Sequence, residues 1–535
     1  MPHLPLSRRE TLVHLGMLLG VPLLRLPAAW TTNGWPAILE QPDDPLAGSI
    51  AAYQAGRLQG RYTASEITRR ALDRAATRGA ALRAIDLLTE RTALEEARAS
   101  DQRLRQRRLL GPLDGVPLFA KSIYDIAGTP TTASSATWAR LFPQAVSRDA
   151  LEVARLRRAG AVILGKTAAD DFAYRGNGTS TLTGQVLNPH DPAGRRTPGG
   201  SSAGSAVVVA TGMAFGALGT DDGGSNRIPA QFTGVVGMKP TFGLVPRTGV
   251  IPTWPYLDTH GPLSRFVADA ALMLDALAGP DASDGLALTT PWRSGALATL
   301  RDDALQRARL GMVALHAPTA QMSSASIRQF EQALADCRAA GAIVEPFEAP
   351  VHRANVRDLF AAAAARRGDV APDPNTPAAT VNALRRYVDQ QGGDGRRAVR
   401  DGLTIFRAFY DVIPSDWARV EPLLDVPYEQ DAAGVAFARS RQEVVQTLAD
   451  AMRAQRLDAL VYPTMPFPAP DAADPWPDVR TPLGFGNWTG LPEVSVPAGV
   501  DASGFPLGNL SFVGLPGSDA RLLALAHAYE RRRHT

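Results

Sequence analysis

The sequence predicts a layered α/β/α domain, in which helices cover both faces of a large mixed β-sheet, together with a peripheral helical region. Short apolar runs such as GVPLFAK and GAVILGK alternate with helical stretches such as DALEVARLRRAG, and this alternation is typical of layered α/β proteins. Strand-like runs return at DALVYPTMPFPAP and LPEVSVPAG. With 45% hydrophobic and 20% charged residues among 535, the composition is that of a globular protein with a large core.

The order of patterns along the chain predicts a single domain over residues 30–535. Apolar residues at helical spacing begin near residue 49, and the Thr63–Glu66 spacing resembles a helix capping box. We expect the core to comprise residues 49–280 and 451–530. Residues 281–450 are rich in Ala and Arg with few strand signals, so they are expected to form the variable helical region.

Residues 1–29 are expected to be a twin-arginine export signal. The segment SRRETL precedes the apolar run LVHLGMLLGVPLL, and LPAA supplies small residues for cleavage near Ala29. The run is too short to predict a stable membrane span. A periplasmic or secreted protein follows from this interpretation, whereas an amphipathic helix on a cytoplasmic protein is the alternative.

Charge and rare residues narrow the function classes. The chain has 56 Lys plus Arg and 53 Asp plus Glu, a net charge of +3, which does not favour nucleic-acid binding. The single cysteine, Cys337, excludes an intramolecular disulfide and is interpreted as a buried small residue. Only Lys121, Lys166 and Lys239 are lysines. Because lysine alone offers a compact amine whose pKa burial can lower into the neutral range, each of the three requires an explanation.

Two short motifs suggest functions that their context does not support. Gly160 and the GKT segment at 165–167 fit the phosphate loop of nucleotide hydrolases, but the intervening AVIL is expected to extend as a buried strand. Ser202 fits the GxSxG nucleophile elbow of α/β-hydrolases, which requires a strand directly before it. The preceding NPHDPAGRRTPGG consists of loop-forming residues, so a serine esterase with its elbow at Ser202 stays an alternative only.

The segment from Pro198 to Ile251 contains two glycine-serine clusters, GGSS and DGGS, on either side of an apolar stretch. Ser201 and Ser225 lie 24 residues apart in these clusters. Glycines before a serine let the backbone approach a ligand and present consecutive N–H groups to a developing oxyanion. A flexible loop is the alternative interpretation, but it does not require an apolar body between the clusters.

With these motifs the sequence resembles the amidase signature family. The likeness covers residues 49–280 and 457–530, and its specific segments are GVPLFAKSIYDIAG, LGKT, NPHDP before RTPGGSSAGS, GTDDGGSNRIPA, GMKPTFG and LDTHGPLSRFVADAALMLDALAG. All three lysines fall within these segments. The resemblance implies an α/β/α fold and an amidohydrolase that acts without metal or organic cofactor.

The resemblance also implies the site residues. Ser225 would be the nucleophile, Ser201 a bridging serine after a cis peptide bond, and Lys121 the base. Burial after the apolar run VPLFA would lower the pKa of Lys121 enough for it to accept a proton. The backbone amides expected to form the oxyanion hole are those of Asp222, Gly223, Gly224 and Ser225. Structural support is expected from Asp221, Arg227, Lys166 and Lys239.

The predicted activity is hydrolysis of a carboxylic amide, from a small molecule or a peptide amide, by a monomer or homodimer. A protein resembling the amidase-like subunit of a tRNA-charging amidotransferase is the alternative within the family, and it would need partner chains and a cytosolic location. A non-catalytic binding protein on this scaffold would be expected to have lost Lys121, Ser201 or Ser225, yet all three are present.

The sequence departs from the family pattern at a few positions, which we expect to affect the pocket lining and the choice of substrate. They are Ser122, Ile123, Ala168 and Asn226. Trp254 and Tyr256 are candidates for lining an apolar pocket, and packing within the core is the alternative for both.

Overall fold

The computed structural model describes residues 43–533 apart from 192, 290–291, 293–294, 314–322, 348–355, 410–412 and 475–482. The expected export signal, residues 1–29, lies outside the described residues. Within the described ranges, no helix is long and apolar enough to cross a membrane.

The strands define a sheet that runs through the whole described chain. In chain order they are β1 (Ile85–Leu88), β2 (Pro117–Lys121), β3 (Val162–Thr167), β4 (Thr179–Ser180), β5 (Gly184–Gln185), β6 (Gly216–Thr220), β7 (Val236–Lys239), β8 (His260–Ser264), β9 (Arg309–Val313), β10 (Ile343–Phe347), β11 (Ala459–Pro463), β12 (Glu493–Val500) and β13 (Pro506–Val513). Eleven of these described strands form one sheet in the order β1-β3-β2-β6-β8-β7-β12-β13-β11-β9-β10. Strands β4 and β5 form a separate antiparallel pair.

The large sheet is mixed. Strand β2 runs parallel to both β3 and β6, and β9 runs parallel to both β10 and β11. The strands between these two groups, from β8 to β13, pair antiparallel with their neighbours. Every residue of β2, β3, β6, β7, β8 and β11 is buried, which requires cover on both faces of the sheet.

Helices supply that cover. In chain order they are α1 (Ile50–Leu58), α2 (Ala64–Arg74), α3 (Glu90–Arg105), α4 (Ala136–Leu141), α5 (Leu151–Arg158), α6 (Ala203–Ala210), α7 (Arg227–Thr233), α8 (Val267–Leu277), α9 (Ala296–Thr299), α10 (Ser324–Ala339), α11 (Val356–Arg367), α12 (Pro377–Gln390), α13 (Gly395–Phe409), α14 (Trp417–Val420), α15 (Ala432–Ala454), α16 (Leu483–Thr489) and α17 (Asp519–Arg533). The α/β fold with a large mixed sheet is therefore confirmed.

Local signals explain several helix ends. Thr63 caps α2, because its hydroxyl accepts a hydrogen bond from the Glu66 amide at 3.1 Å. The Glu66 carboxylate instead pairs with Arg70, so only half of the predicted capping box forms. The arginines at the end of α17 occupy its last turn, where positive charge is favourable to the helix dipole. Cys337 lies within α10 and is fully buried, which confirms its interpretation as a packed small residue.

The region predicted to be helical differs from expectation at one edge of the sheet. Strands β9 and β10 lie between residues 281 and 450, joined by α10, and they extend the sheet beyond β11. Their strand pattern is weak in the sequence because charged residues interrupt it. Arg309 and Glu345 form a cross-strand ion pair at 2.7 Å on this part-exposed edge. Helices do follow from α11 to α15.

Candidate active site

Four chain segments meet at one edge of the sheet. Lys121 is the last residue of β2 and Thr220 is the last residue of β6. Because these neighbouring strands run parallel, their carboxyl ends lie at the same edge, where α/β proteins bind ligands. Ser201 and Ser225 stand just before α6 and α7, and the Ser202 amide donates to the Ser225 carbonyl at 3.1 Å. The structure thus brings the three predicted catalytic residues together.

The amine of Lys121 is completely buried and makes two short hydrogen bonds. Its Nζ donates to Ser201 Oγ at 2.7 Å and to Thr220 Oγ1 at 2.8 Å. Burial lowers the pKa of Lys121 to about 8, although nearby carboxyl groups, that of Asp222 first, act in the opposite direction. A substantial neutral fraction near pH 8 leaves this amine able to accept a proton.

The peptide bond between Gly200 and Ser201 is cis, as the resemblance implied. The Asp170 carboxylate lies against Gly200 and accepts hydrogen bonds from the Gly178 and Thr179 amides, both at 3.1 Å. A Cβ atom on Gly200 would collide with Asp170 Oδ2, so no larger residue fits here. Burial raises the pKa of Asp170 to about 6.

Ser225 lines a cavity of about 220 Å³ at this edge of the sheet. The residue is 8% exposed, and its hydroxyl makes no hydrogen bond to any other described residue. No hydrogen bond joins the hydroxyl groups of Ser225 and Ser201 within the described chain. Such catalytic contacts are often long without substrate and tighten when it binds. The hydroxyl of Ser225 is therefore open to the cavity.

The backbone before Ser225 offers fewer oxyanion donors than predicted. The amide of Gly224 donates to Asp221 Oδ1 at 2.8 Å, so it is already occupied. The prediction that Gly224 contributes a donor is thereby corrected: the carboxylate that supports the loop binds this N–H itself. The amides of Asp222, Gly223 and Ser225 make no hydrogen bond to another described residue, which leaves these three available to an oxyanion.

Arg227 and Asp221, expected from the resemblance to give structural support, form a buried ion pair beneath this loop. Arg227 Nε lies 2.9 Å from Asp221 Oδ2 and Nη2 lies 2.7 Å from Oδ1, with both side chains fully buried. Burial alone would raise the pKa of Asp221, but the guanidinium holds it well below its usual range. The pair therefore stays charged while it supports the amides of the loop.

Two partners of Arg227 were not identified from the sequence. Its Nη1 donates to Glu493 Oε2 at 2.5 Å, and its Nη2 donates to Asn487 Oδ1 at 2.7 Å. Asn487 in turn donates to the Asp221 carbonyl at 2.9 Å. The available signal was a charged residue inside the apolar strand-like run LPEVSV, where an unpaired carboxylate would be costly.

A second pair of carboxyl groups, Asp222 and Asp258, also escaped the sequence analysis. Neither oxygen of Asp222, nor Oδ1 of Asp258, accepts a hydrogen bond from another described residue. Burial raises the pKa of Asp222 well above its usual range, and the charge of Asp258 raises it further. Burial and the nearby Asp258 therefore both favour the protonated form of Asp222.

The structure argues against the nucleophile elbow at Ser202. No strand in the described chain directly precedes this residue, which follows the cis peptide in a loop. Its side chain is fully buried, and Oγ lies 3.2 Å from the Thr220 carbonyl and 3.1 Å from Asn226 Oδ1. A hydroxyl held in this way has no access to a substrate.

The other two lysines make buried structural hydrogen bonds. The segment predicted to be a strand rather than a phosphate loop is the fully buried β3, and Lys166 Nζ donates to the Pro130 carbonyl at 2.6 Å. Lys239 donates to the Leu491 carbonyl. Burial lowers the pKa of Lys166 to about 8 and that of Lys239 to about 7. Neither amine contacts Ser201 or Ser225.

The walls of the cavity differ from those expected. Its lining residues are Ala173, Tyr174, Arg175, Gly176, Gly200, Asp222, Gly223, Ser225, Ile228, Thr253 and Trp254. Trp254 is a lining residue as proposed, whereas Tyr256 packs in the core and donates to the Tyr428 carbonyl. The departures at Ser122, Ile123, Ala168 and Asn226 are not among the lining residues, and all four are fully buried. Arg175 and Tyr174 were missed because they belong to no recognised motif.

Comparison with known proteins agrees with this geometry. A family model described as Amidase matches residues 66–523. The native peptide amidase from Stenotrophomonas maltophilia superposes with a TM-score of 0.76 at 32% identity, covering 91% of this chain and 97% of that one. An amidase family protein from Bacillus anthracis superposes with a TM-score of 0.71 at 25% identity, covering 91% and 90% of the two chains.

Similar curated proteins carry a different name from these structures. A glutamyl-tRNA(Gln) amidotransferase subunit of Symbiobacterium thermophilum is 34% identical over 496 residues, covering 89% of this chain and 94% of that protein. The protein of the same name from Myxococcus xanthus is 34% identical over 502 residues, covering 91% and 96%. The two sets of relatives therefore correspond to the predicted amidase and to its amidotransferase alternative.

Proposed function

Because the chain belongs to the Amidase family, we propose that it hydrolyses carboxylic amides through an acyl intermediate on Ser225. The observation that supports this most directly is the 2.7 Å hydrogen bond from the buried Lys121 amine to Ser201 Oγ, beside the open hydroxyl of Ser225. The products are a carboxylic acid and an amine or ammonia. We expect no metal or organic cofactor to take part.

The proton path follows from the order of the three groups. Neutral Lys121 accepts a proton from Ser201, which accepts one from Ser225 as Ser225 Oγ attacks the amide carbonyl. The same path in reverse delivers the proton to the leaving nitrogen, so the C–N bond breaks with a neutral amine. Water then attacks the acyl-serine ester, again losing its proton through Ser201 to Lys121, and the acid leaves as Ser225 regains its hydrogen.

When Ser225 attacks the amide, the carbonyl oxygen becomes negatively charged, and hydrogen-bond donors are needed to stabilise it. The amides of Asp222, Gly223 and Ser225 are placed for this role, since no other described residue binds them. Asp221 and Arg227 keep this loop in shape through the bond from the Gly224 amide to Asp221. Removal of one oxyanion donor from such a site typically raises the barrier by about 3 to 4 kcal/mol.

A second candidate function is that of one component of an amidotransferase complex. It is supported by the curated relatives, which are named as glutamyl-tRNA(Gln) amidotransferase subunits and which this chain matches over most of their length. In that case the chain would release ammonia from an amide donor for partner chains. Activity that appears only after addition of such partners and charged tRNA would favour this candidate over an amidase that works alone.

The test is a screen of the purified chain lacking residues 1–29. Ammonia or amine release would be measured with aliphatic amides, aryl amides, C-terminally amidated peptides and glutamine. Ser225→Ala is the matched control, because it removes one oxygen from the cavity wall. We expect release by the unmodified chain and none above background by the variant. Equal release by both proteins would contradict the assignment of Ser225.

We further propose that residues 1–29 are a twin-arginine export signal, so that the mature protein is periplasmic or secreted as a monomer or homodimer. The support is the sequence pattern alone. N-terminal sequencing of protein from the native host should begin near residue 30. Material that begins at Met1 or Pro2 and stays in the cytosol would favour the cytoplasmic alternative. Light scattering of the purified protein gives the oligomeric state.

A further inference from the structure

Arg175 lies on the wall of the cavity that contains Ser225. Its side chain is exposed, and it forms no ion pair or hydrogen bond with another described residue. Other arginines of the chain are paired: Arg247 pairs with Asp284 at 2.6 Å, and Arg196 donates to the Ala469 carbonyl at 2.7 Å. Arg175 is therefore an unpaired arginine among the residues that line the cavity.

The other walls contribute no opposing charge. The only carboxyl group among the described lining residues, that of Asp222, is turned inward to Asp258, and both of its oxygens are buried. Tyr174 and Trp254 stand edge to face, with ring centroids 5.8 Å apart, and form an aromatic wall. Ile228 adds an apolar side chain. The cavity thus combines an apolar body with one cationic group.

We propose that Arg175 binds a carboxylate of the substrate, so that the preferred substrates are amides that carry a second, anionic carboxylate group. This inference rests on the proposed function. A guanidinium presents two parallel N–H groups to a carboxylate, and such bidentate charged hydrogen bonds are stronger than neutral ones. The aromatic and apolar walls would hold the carbon chain between the carboxylate and the scissile amide.

The chemistry predicts how the preference depends on the substrate. A hydrogen bond between charged groups corresponds to a factor of about 10 to 100 in binding. The effect should appear in KM more than in kcat, because the carboxylate is remote from the bond that breaks. It should also weaken as salt is added, since Arg175 is exposed to solvent.

The experiment compares three matched series of primary amides of increasing chain length. One series carries a terminal carboxylate, one ends in a methyl group and one ends in an ammonium group, and ammonia release is measured for all three. We expect the unmodified enzyme to favour the carboxylates by about tenfold or more in kcat/KM at low salt. The best chain length then reports the distance from Arg175 to Ser225.

Three variants separate recognition from folding. Arg175→Gln should remove the preference, mainly by raising KM for the carboxylates, and leave the methyl series within about twofold. Arg175→Glu should favour the ammonium series, and Arg175→Lys should retain part of the preference. Arg148→Gln is the control for lost charge, because Arg148 is exposed and lies outside the cavity. An equal fall in kcat/KM for all three substrate series in Arg175→Gln would overturn the proposal.

A binding measurement keeps this proposal distinguishable from the proposed function. Titration calorimetry with glutarate, which has a carboxylate at each end and no amide, should show binding to the unmodified chain and to Ser225→Ala but not to Arg175→Gln. Glutarate binding without hydrolysis of any amide would support the carboxylate site but contradict the amidase function. Hydrolysis of all series alike, with no glutarate binding, would contradict the carboxylate site alone.

Discussion

Lys121 and Ser201 lie 80 residues apart in the sequence, yet Lys121 Nζ donates to Ser201 Oγ over 2.7 Å. The lysine ends a buried strand, and the serine lies two residues before the first residue of α6. The contact joins an amine with a lowered pKa to a hydroxyl beside Ser225. If Lys121 is the base, as proposed, its protonation state should control the rate of the reaction.

Lys121→Arg should abolish amide hydrolysis although it keeps the positive charge. A guanidinium cannot be deprotonated near neutral pH, so it cannot serve as the base. For the unmodified enzyme, kcat/KM should rise with pH through one ionisation near 8, because the neutral amine increases above the pKa of Lys121. Steady-state rates of the variant and of the unmodified enzyme, measured between about pH 6 and 10, test both predictions, because this range brackets the ionisation.

Lys166→Arg is the control for that experiment, because Lys166 is equally buried but does not contact either serine. It should lower the free energy of unfolding, while kcat of the folded protein changes little. Near-normal amidase activity of folded Lys121→Arg protein would refute the proton path through Ser201.

An active-site-directed fluorophosphonate should label Ser225. Its hydroxyl is open to the cavity beside three unoccupied amides, whereas Ser202 is fully buried and hydrogen bonded. Peptide mass spectrometry of the labelled protein identifies the modified serine. A label on Ser202 would instead support the esterase alternative. Lys121→Ala should slow the labelling, since it removes the base.

Arg227→Ala should lower the free energy of unfolding by about 3 to 5 kcal/mol, because it leaves the Asp221 and Glu493 carboxylates buried without their cation. Urea denaturation followed by circular dichroism measures the loss. The control is Arg366→Ala, whose ion pair with Glu443 is largely exposed and should contribute less than about 1 kcal/mol. A loss of similar size in both variants would contradict the buried network.

Glu530→Gln should reduce the loss of stability at alkaline pH. The Glu530 carboxyl accepts a hydrogen bond from the Val267 amide at the start of α8, and burial raises its pKa to about 8. A raised pKa means that the folded state holds the proton more tightly. Its contribution is therefore complete below the unfolded pKa of about 4.3 and is lost as pH rises to about 8.

The measurement for Glu530 is urea denaturation of both proteins at about pH 5.5, early in that loss, and at about pH 8.5, beyond it. Over that range the free energy of unfolding of the unmodified protein should fall by up to about 1.4 kcal/mol per pH unit more than that of the variant. Parallel losses in the two proteins would show that Glu530 does not titrate as described.

The sequence was sufficient for the features that short motifs carry. The buried strand at AVILGKT and the GGSS and DGGS clusters each lie within a few residues, so local pattern predicts them. The support from Asp221 and Arg227 was implied by the family resemblance, and the two side chains form an ion pair. The bridging role of Ser201 came from the family resemblance, and the cis peptide agrees with it. The role of each residue in catalysis stays a prediction for the experiments above.

Other features depend on contacts that no local pattern contains. Thr220 meets Lys121 across 99 residues, and Asp258 meets Asp222 only because β8 returns beside β6. The occupied amide of Gly224 was missed because a glycine-rich motif does not state which N–H faces inward. Arg175 carries no motif, and only the folded cavity distinguishes it from the many other arginines.

The partners of Arg227 have a consequence for how the protein is made. Asn487 and Glu493 follow Arg227 by 260 and 266 residues, so Arg227 lacks these two partners until the ribosome has delivered the far end of the chain. We expect a nascent or prematurely terminated chain to hydrolyse nothing, even though it already contains Lys121, Ser201 and Ser225. We therefore expect catalytic competence to arrive only with completion of synthesis, after any N-terminal segment has already become available to the cell's sorting machinery.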